Sequence, residues 1–407
     1  MLIRTMVLAL GTFAVGTAEL FIAGILPLVA NDLQISTSMA GQLVTVYALV
    51  FAFGGPLIMA LSSHINPYKL LLGSLGIFIT GNLVSIVFTD FYLVLFSRML
   101  AACGSAVYTT LAFDCAASIA PAGKQGRSVS IIVAGWTLAS IAGAPLGTLV
   151  GVTFGWRASF IFVIILSAGV ALGIWTKFPR KIETPQVPGL KKQIAQLKRP
   201  ELSLTIIISG LFLGGQYIAY TYLATFLKDV SGLGALAITF MLLVYGVSGT
   251  IGNLLGGYAT DRFGSSRTLF TGIGLNALAM LGLSVVGSSS ILVGFVILLW
   301  GLSSWSFTSA QQSRLIGMAP TATKLTLSLN LSFFNLGIAG GTSLGGMIIN
   351  TAGPASLGLV GSLVITLAFS LTIITCLITR QTRTSKKNLG GNTSGAVVEL
   401  TALPDHT

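Results

Sequence analysis

The chain has 407 residues, 54% of them hydrophobic and only 8% charged, with a formal net charge of +12. So few charges cannot cover the surface of a water-soluble domain of this length, so the chain reads as an integral membrane protein. Its three cysteines, Cys103, Cys115 and Cys376, are an odd number without metal-ligand spacing. They read as small buried hydrophobes and not as a disulfide framework or a metal site.

A helix crosses a hydrocarbon core about 30 Å thick with about 20 mainly apolar residues. Stretches of that kind fall at 4–30, 40–62, 68–89, 92–116, 128–152, 158–178, 202–228, 235–259, 266–287, 290–317, 325–350 and 355–379. The expected fold is an all-α membrane protein of 12 transmembrane helices in two six-helix halves, residues 1–178 and 202–379. A basic linker, 179–201, joins the halves, and a polar, Gly-rich tail, 380–407, is expected to be disordered.

An even number of spans puts both termini on one side. Of the 22 Lys and Arg residues, all but Arg98, Arg157 and Lys228 then fall on or beside that side. The positive-inside bias makes it the cytoplasmic one. Basic residues spread over every inner loop point to anionic lipid as their partner and away from nucleic acid. The first apolar stretch contains Glu19 and runs on into further spans, so it is helix 1 and not a cleaved signal peptide.

Glu19 is the one carboxylate expected deep in the membrane, about 15 residues beyond Arg4 and hence near the midplane at about 1.5 Å per residue. Intramembrane ionisable residues face cavities and mark pathways or proton sites. Arg98 is the one cation expected within a helix, helix 4. Glu19 and Arg98 are read as a pair, either a fixed salt bridge between helices 1 and 4 or one broken by protonation. Asp114, near the inner end of helix 4, suits a structural partner for inner-loop cations or a transport role.

On helix 5, Gly143, Gly147 and Gly151 recur every four residues, either for close packing or as a surface that slides during transport. Pro145 among them removes a backbone hydrogen bond and is expected to bend the helix. Arg157 anchors the outer end of helix 6. On helix 7, Gln216, Tyr217 and Tyr220 offer aromatic faces with polar edges, and helix 10 adds Trp300, Trp305, Gln311 and Gln312. A planar heterocycle needs such stacking surfaces with a few amide or hydroxyl partners. Trp300 also fits an interface belt, whereas an amide facing lipid would lack partners, so both glutamines should face protein, ligand or water.

Gly257-Tyr258-Ala259-Thr260-Asp261-Arg262-Phe263-Gly264, between helices 8 and 9, resembles the Gly-x-x-x-Asp-Arg-x-Gly loop of the major facilitator superfamily. Asp261 and Arg262 would pin the loop by ion pairing and Gly264 would allow its turn. The first-half counterpart, Ser62-Ser63-His64, departs from that pattern. Ala144-Pro145 is similar to the helix 5 motif of the drug/proton antiporter branch, and Leu95-Phe96-Ser97-Arg98 with Gly104 to its helix 4 motif, in which the Arg is linked to coupling. Gly16-Thr17-Ala18-Glu19, Gly24-Ile25-Leu26-Pro27 and Gly155-Trp156-Arg157 resemble the arabinose-efflux-permease-like subfamily. Gln216-Tyr217-Ile218-Ala219-Tyr220 and the Trp300–Trp305 stretch resemble bacterial purine efflux pumps.

The resemblance implies that helices 1, 4, 7 and 10 line a central cavity. It implies a monomeric secondary transporter in a bacterial cytoplasmic membrane, exporting purine bases or nucleosides by proton antiport. Multidrug, chloramphenicol or sugar efflux and passive facilitation are the alternatives. No Walker-type sequence supports ATP-driven transport, and one deep carboxylate does not make an enzyme's acid/base site. No cofactor is expected.

Overall fold

The structure, a computed structural model, describes residues 2–61, 65–121, 124–180, 200–286 and 289–398. His64 and most of the linker lie outside the described residues. Twelve helices long and apolar enough to cross a membrane follow one another: α1 (Leu2–Asp32), α2 (Thr37–Leu61), α3 (Pro67–Val87), α4 (Phe91–Ser118), α5 (Gln125–Phe154), α6 (Trp156–Lys177), α7 (Pro200–Asp229), α8 (Ala235–Phe263), α9 (Ser265–Val285), α10 (Ser290–Met318), α11 (Thr323–Ala352) and α12 (Leu357–Val398). Each expected span corresponds to one of them.

Three helices depart from simple spans. In α5 the turn Ala139–Gly143 is a π-helix, with the Ala144 N–H bonded to the Ala139 carbonyl five residues back. Pro145 has no N–H to give, and its ring crowds the carbonyl of Ile141; the widened turn relieves that conflict where a bend was expected. The α7 helix breaks at 221–222, between segments Pro200–Tyr220 and Leu223–Asp229. There Thr221 and Tyr222 turn their hydroxyls onto Thr342 of α11, at 2.8 Å to its side chain and 3.0 Å to its carbonyl. The α12 helix continues beyond the expected end at 379 to Val398, with no proline between Pro354 and Pro404 to stop it.

Glycine positions the helices. Gly143, Gly147 and Gly151 lie against Thr17, Phe21 and Ile25 of α1, so the stripe packs α5 on α1 within the first half. The turn between α8 and α9 is made by Gly264 at φ +86°, where a side chain would be strained. The ion pair expected there is not formed: Asp261 and Arg262 are both exposed, and Arg262 donates to the Tyr258 hydroxyl one helical turn back at 2.7 Å. In the last turns of α8 Tyr258, four residues before Arg262, sits on the same face, and Asp261, next to Arg262 in sequence, does not.

The two halves meet where α2 packs on α11, α5 on α8, and the far end of α1 on α7. Thr45 lies 3.3 Å from Ser343, Gly41 and Gly346 close on the Tyr222 hydroxyl, and Gly246 closes on the backbone of Ser140 in the π turn. These joins lie between the middle of the bundle and the face opposite the termini. At that face Asp32 accepts from the Trp156 indole at 2.9 Å and pairs with Arg157 at 2.6 Å, tying the end of α1 to the start of α6. Beside it Asn31, Gln34, Thr225, Lys228 and Asp229 line a pocket of about 400 Å³.

Candidate functional site

Six helices bring polar and aromatic side chains together around Glu19, halfway along α1. Glu19 is half-buried, and its Oε2 is buried with no hydrogen-bond partner among the described residues. Its charge acts on Arg98 of α4, Tyr47 of α2, and Tyr217 and Tyr220 of α7. The acid therefore faces the protein interior between the two halves, not lipid.

Arg98 is 1% exposed, yet it does not close an ion pair with Glu19: no contact between them falls within 4.0 Å. Its Nη2 donates instead to the Ala18 carbonyl at 3.2 Å, and its guanidinium lies over the Tyr47 ring, 4.4 Å from the centroid, with Phe160 at 5.9 Å. A desolvated cation on an aromatic face gains about 2 kcal/mol, which helps hold Arg98 short of the acid. Arg98 keeps two nitrogens, Nε and Nη1, without partners among the described residues. The sequence brought the two residues to one place; the expected contact between them is replaced by aromatic stacking.

On the second half, Gln216 anchors an aromatic cluster. Its Oε1 accepts from Trp300 Nε1 at 3.1 Å, Ser304 Oγ at 2.6 Å and the Tyr245 hydroxyl at 3.4 Å. An indole N–H can only donate, so the amide orientation is fixed by Trp300. Tyr217, Tyr220, Tyr245 and Trp300 pack ring to ring, with centroids 5.3, 5.0 and 5.1 Å apart along the series Tyr217–Tyr220–Tyr245–Trp300. Such edge and tilted contacts are the favoured aromatic geometries. Asn276 of α9 supports the cluster from behind, donating to Ser303 and Ser304 at 3.0 and 2.9 Å. Trp300 is fully buried, which excludes the interface-belt role open to it from sequence.

The remaining expected residues fall elsewhere. Gln311 is buried and clamps α10 to α7 through the Thr205 carbonyl at 2.6 Å and Ser209 Oγ at 2.7 Å. Gln312 is exposed, because one residue further round α10 turns it about 100° away from that clamp. Trp305 lies against Gly249 of α8 and makes no ring contact with the cluster among the described residues. Asp114 is half-buried near the end of α4 and touches neither Glu19 nor Arg98 among the described hydrogen bonds and ion pairs. Pro145, Gly143 and Gly147 shape α5, as described.

Two residues of the site, Tyr47 and Tyr245, were not singled out from the sequence. Each stands within a mainly apolar run, 44–53 and 241–247. A phenol hydroxyl at that depth needs a partner for the reason that made Gln311 conspicuous.

Among the described residues no group of His, Cys, Asp and Glu could hold a metal ion. The arrangement offers a charged half, Glu19 with Arg98, facing an aromatic half that presents phenol and amide edges. Such a pairing of charge with aromatic faces can hold a small, partly polar molecule.

Comparison with known proteins agrees. The sequence matches the Major Facilitator Superfamily over residues 8–324. It is 33% identical over 368 residues to the MFS-type transporter YbcL of Bacillus subtilis, covering 90% of this chain and 94% of that protein. It is 31% identical over 365 residues to the inner membrane transport protein YdhP of Escherichia coli K12, covering 89% and 93%. The fold is similar to those of the human organic anion transporter MFSD10, with TM-score 0.67, 16% identity and 91% and 98% of the two chains covered. It is also similar to a bacterial homologue of the human lysosomal transporter Spinster in an inward-facing, unoccupied conformation, with TM-score 0.68, 18% identity and 93% and 94% covered. With twelve membrane-length helices, a site enclosed between two halves and relatives that match nearly end to end, this chain is a small-molecule transporter that belongs to the major facilitator superfamily.

Proposed function

We propose that this transporter exports a small planar molecule, a purine base or nucleoside, in exchange for protons. It acts as a monomer in a bacterial cytoplasmic membrane with both termini in the cytoplasm, within the drug/proton antiporter branch. The observation that carries this reading is the lone carboxyl of Glu19, set between the halves and facing Tyr217 and Tyr220 with one oxygen unpartnered. A charge in that place is costly, and a proton removes the cost.

With the termini inside, we read the joins toward the opposite face as the closed outer side of an inward-facing carrier. Substrate enters from the cytoplasm and stacks on the cluster of α7, α8 and α10, with Glu19 deprotonated. The halves then rock about α2–α11 and α5–α8. A proton taken up at Glu19 from outside removes the charge facing Arg98 and the tyrosines, which favours release, and the protonated empty carrier returns to deliver its proton within.

The same box of four rings beside a carboxylate also suits amphiphilic cations, which favours multidrug efflux as a second reading. Proteoliposomes with one side acidified test coupling. Labelled inosine or adenine should accumulate against its gradient in wild type and only equilibrate in Glu19→Gln. Equilibration in wild type would make the protein a passive facilitator. Cells overproducing the transporter should resist toxic purine analogues; resistance to cationic dyes or chloramphenicol alone would reassign the substrate.

A further inference from the structure

We propose that a column of buried hydroxyls in the first half, Tyr47, Ser105 and Thr109, holds a file of ordered waters that carries protons between Glu19 and the face bearing the termini. The inference rests on the proton-coupled reading above.

Tyr47 Oη, Ser105 Oγ and Thr109 Oγ1 are all buried; the first two have no partner but one another, and Thr109 Oγ1 has no hydrogen-bond partner among the described residues. Other hydroxyls on the same helix do not behave this way. Ser97 bonds back to the Val94 carbonyl at 2.5 Å and Thr110 to the Ala106 carbonyl at 2.9 Å, the local solution open to any helical Ser or Thr. A buried hydroxyl that forgoes that bond is costly unless something else supplies one.

Their placement is ordered. On α4, Ser105 and Thr109 follow Arg98 by seven and eleven residues, which puts all three within roughly 40° of one another and about 10 and 16 Å apart along the axis from Arg98. Because α4 runs from the opposite face toward the face of the termini, the stripe descends from Glu19 in that direction. Arg98 stacks on Tyr47 at 4.4 Å, and Ser105 lies beside the Tyr47 hydroxyl, so the top of the column adjoins the acid. A buried water needs two to four polar partners, and this stripe, with Arg98 Nε and Nη1 and Glu19 Oε2 at its head, supplies them at successive levels.

The groups facing Glu19 are Arg98 from α4, Tyr47 from α2, and Tyr217 and Tyr220 from α7, with Tyr245 of α8 behind Tyr220. The middles of α5 and α6 carry no titratable side chain. Hydroxyls and water therefore offer the proton its route, and the Arg98 charge keeps it from resting in the column.

The test needs no substrate. Full-length protein in nanodiscs is given a pH jump, and the infrared band of the protonated carboxyl, assigned by its loss in Glu19→Gln, is followed in time. Ser105→Ala with Thr109→Val should slow proton exchange at Glu19 about tenfold or more, equivalent to about 1.4 kcal/mol of barrier, while leaving the equilibrium amplitude at each pH unchanged, and Tyr47→Phe should slow it as well. Ser105→Thr should keep the wild-type rate. An unchanged rate in the hydroxyl-free variants, or a rate and amplitude that fall together in Ser105→Thr as well, overturns the column. A wild-type protein with no pH-responsive Glu19 band refutes the proton-coupled reading itself.

Discussion

Replacing Gln216 with Leu removes the acceptor shared by Trp300, Ser304 and Tyr245 while keeping a side chain of similar size. The three bonds do not count equally, because a carbonyl oxygen has two lone pairs and the Tyr245 bond is long at 3.4 Å. Ser304 has one proton and a second acceptor, the Trp300 carbonyl at 2.7 Å, to which it can revert. Only the Trp300 indole N–H, fully buried, is left without recourse. Orphaning one buried donor costs about 1–3 kcal/mol in general, and hydrogen bonds within membrane bundles average about 0.6 kcal/mol, so the net loss should be about 1–2 kcal/mol. Unfolding by sodium dodecyl sulfate in mixed micelles, read by tryptophan fluorescence, measures it, with Gln216→Leu in a Trp300→Phe background as the control in which the orphaned N–H is already gone. A Leu variant as stable as wild type, or one that costs as much again in the Trp300→Phe background, would refute the assignment of Gln216 as the cluster's anchor.

The adjacent glutamines of α10 should part company. Gln311→Leu loses both bonds to α7 and should destabilise by about 1–2 kcal/mol, whereas exposed Gln312→Ala should stay within about 0.5 kcal/mol in the same assay. Gly147→Ala brings a methyl to 2.7 Å from Phe21 Cβ, and the overpacking between α1 and α5 should cost about 1–3 kcal/mol, seen as a lower melting temperature in detergent. Asp32→Asn breaks the pair with Arg157, but Asp32 is 46% exposed, so the loss should stay below about 1 kcal/mol and shrink further when salt is raised.

The spans were legible because length and apolar content are read directly from the chain, and a bilayer leaves helices as the only solution for so many apolar residues. The site was legible in part. Glu19, Arg98, Gln216, Tyr220 and Trp300 stood out as polar groups where polarity is costly, and they gather around one space. What failed was orientation at the level of single residues. Gln312 and Trp305 are on α10 with Gln311 and Trp300, yet sequence spacing does not say which stripe meets α7 and which meets α8 or the exterior. The Glu19–Arg98 contact failed for a related reason: Tyr47 competes for the guanidinium, and nothing in the spacing of α1 and α4 announces a ring on α2. The break at 221–222 carries no Gly or Pro to mark it, and its cause lies in Thr342 on a distant helix.

The widened turn at Ala139–Gly143 takes up one residue more than an ordinary turn. Relative to an unbroken spiral, everything after it is wound on by about 100°. Labelling of single cysteines introduced along α5 should thus show two regular accessibility patterns, 125–138 and 144–154, out of phase with each other by one position. Deleting a single residue within the wide turn would bring the two patterns into phase, and it would alter the surface that meets Gly246, the seam about which the proposed rocking would turn.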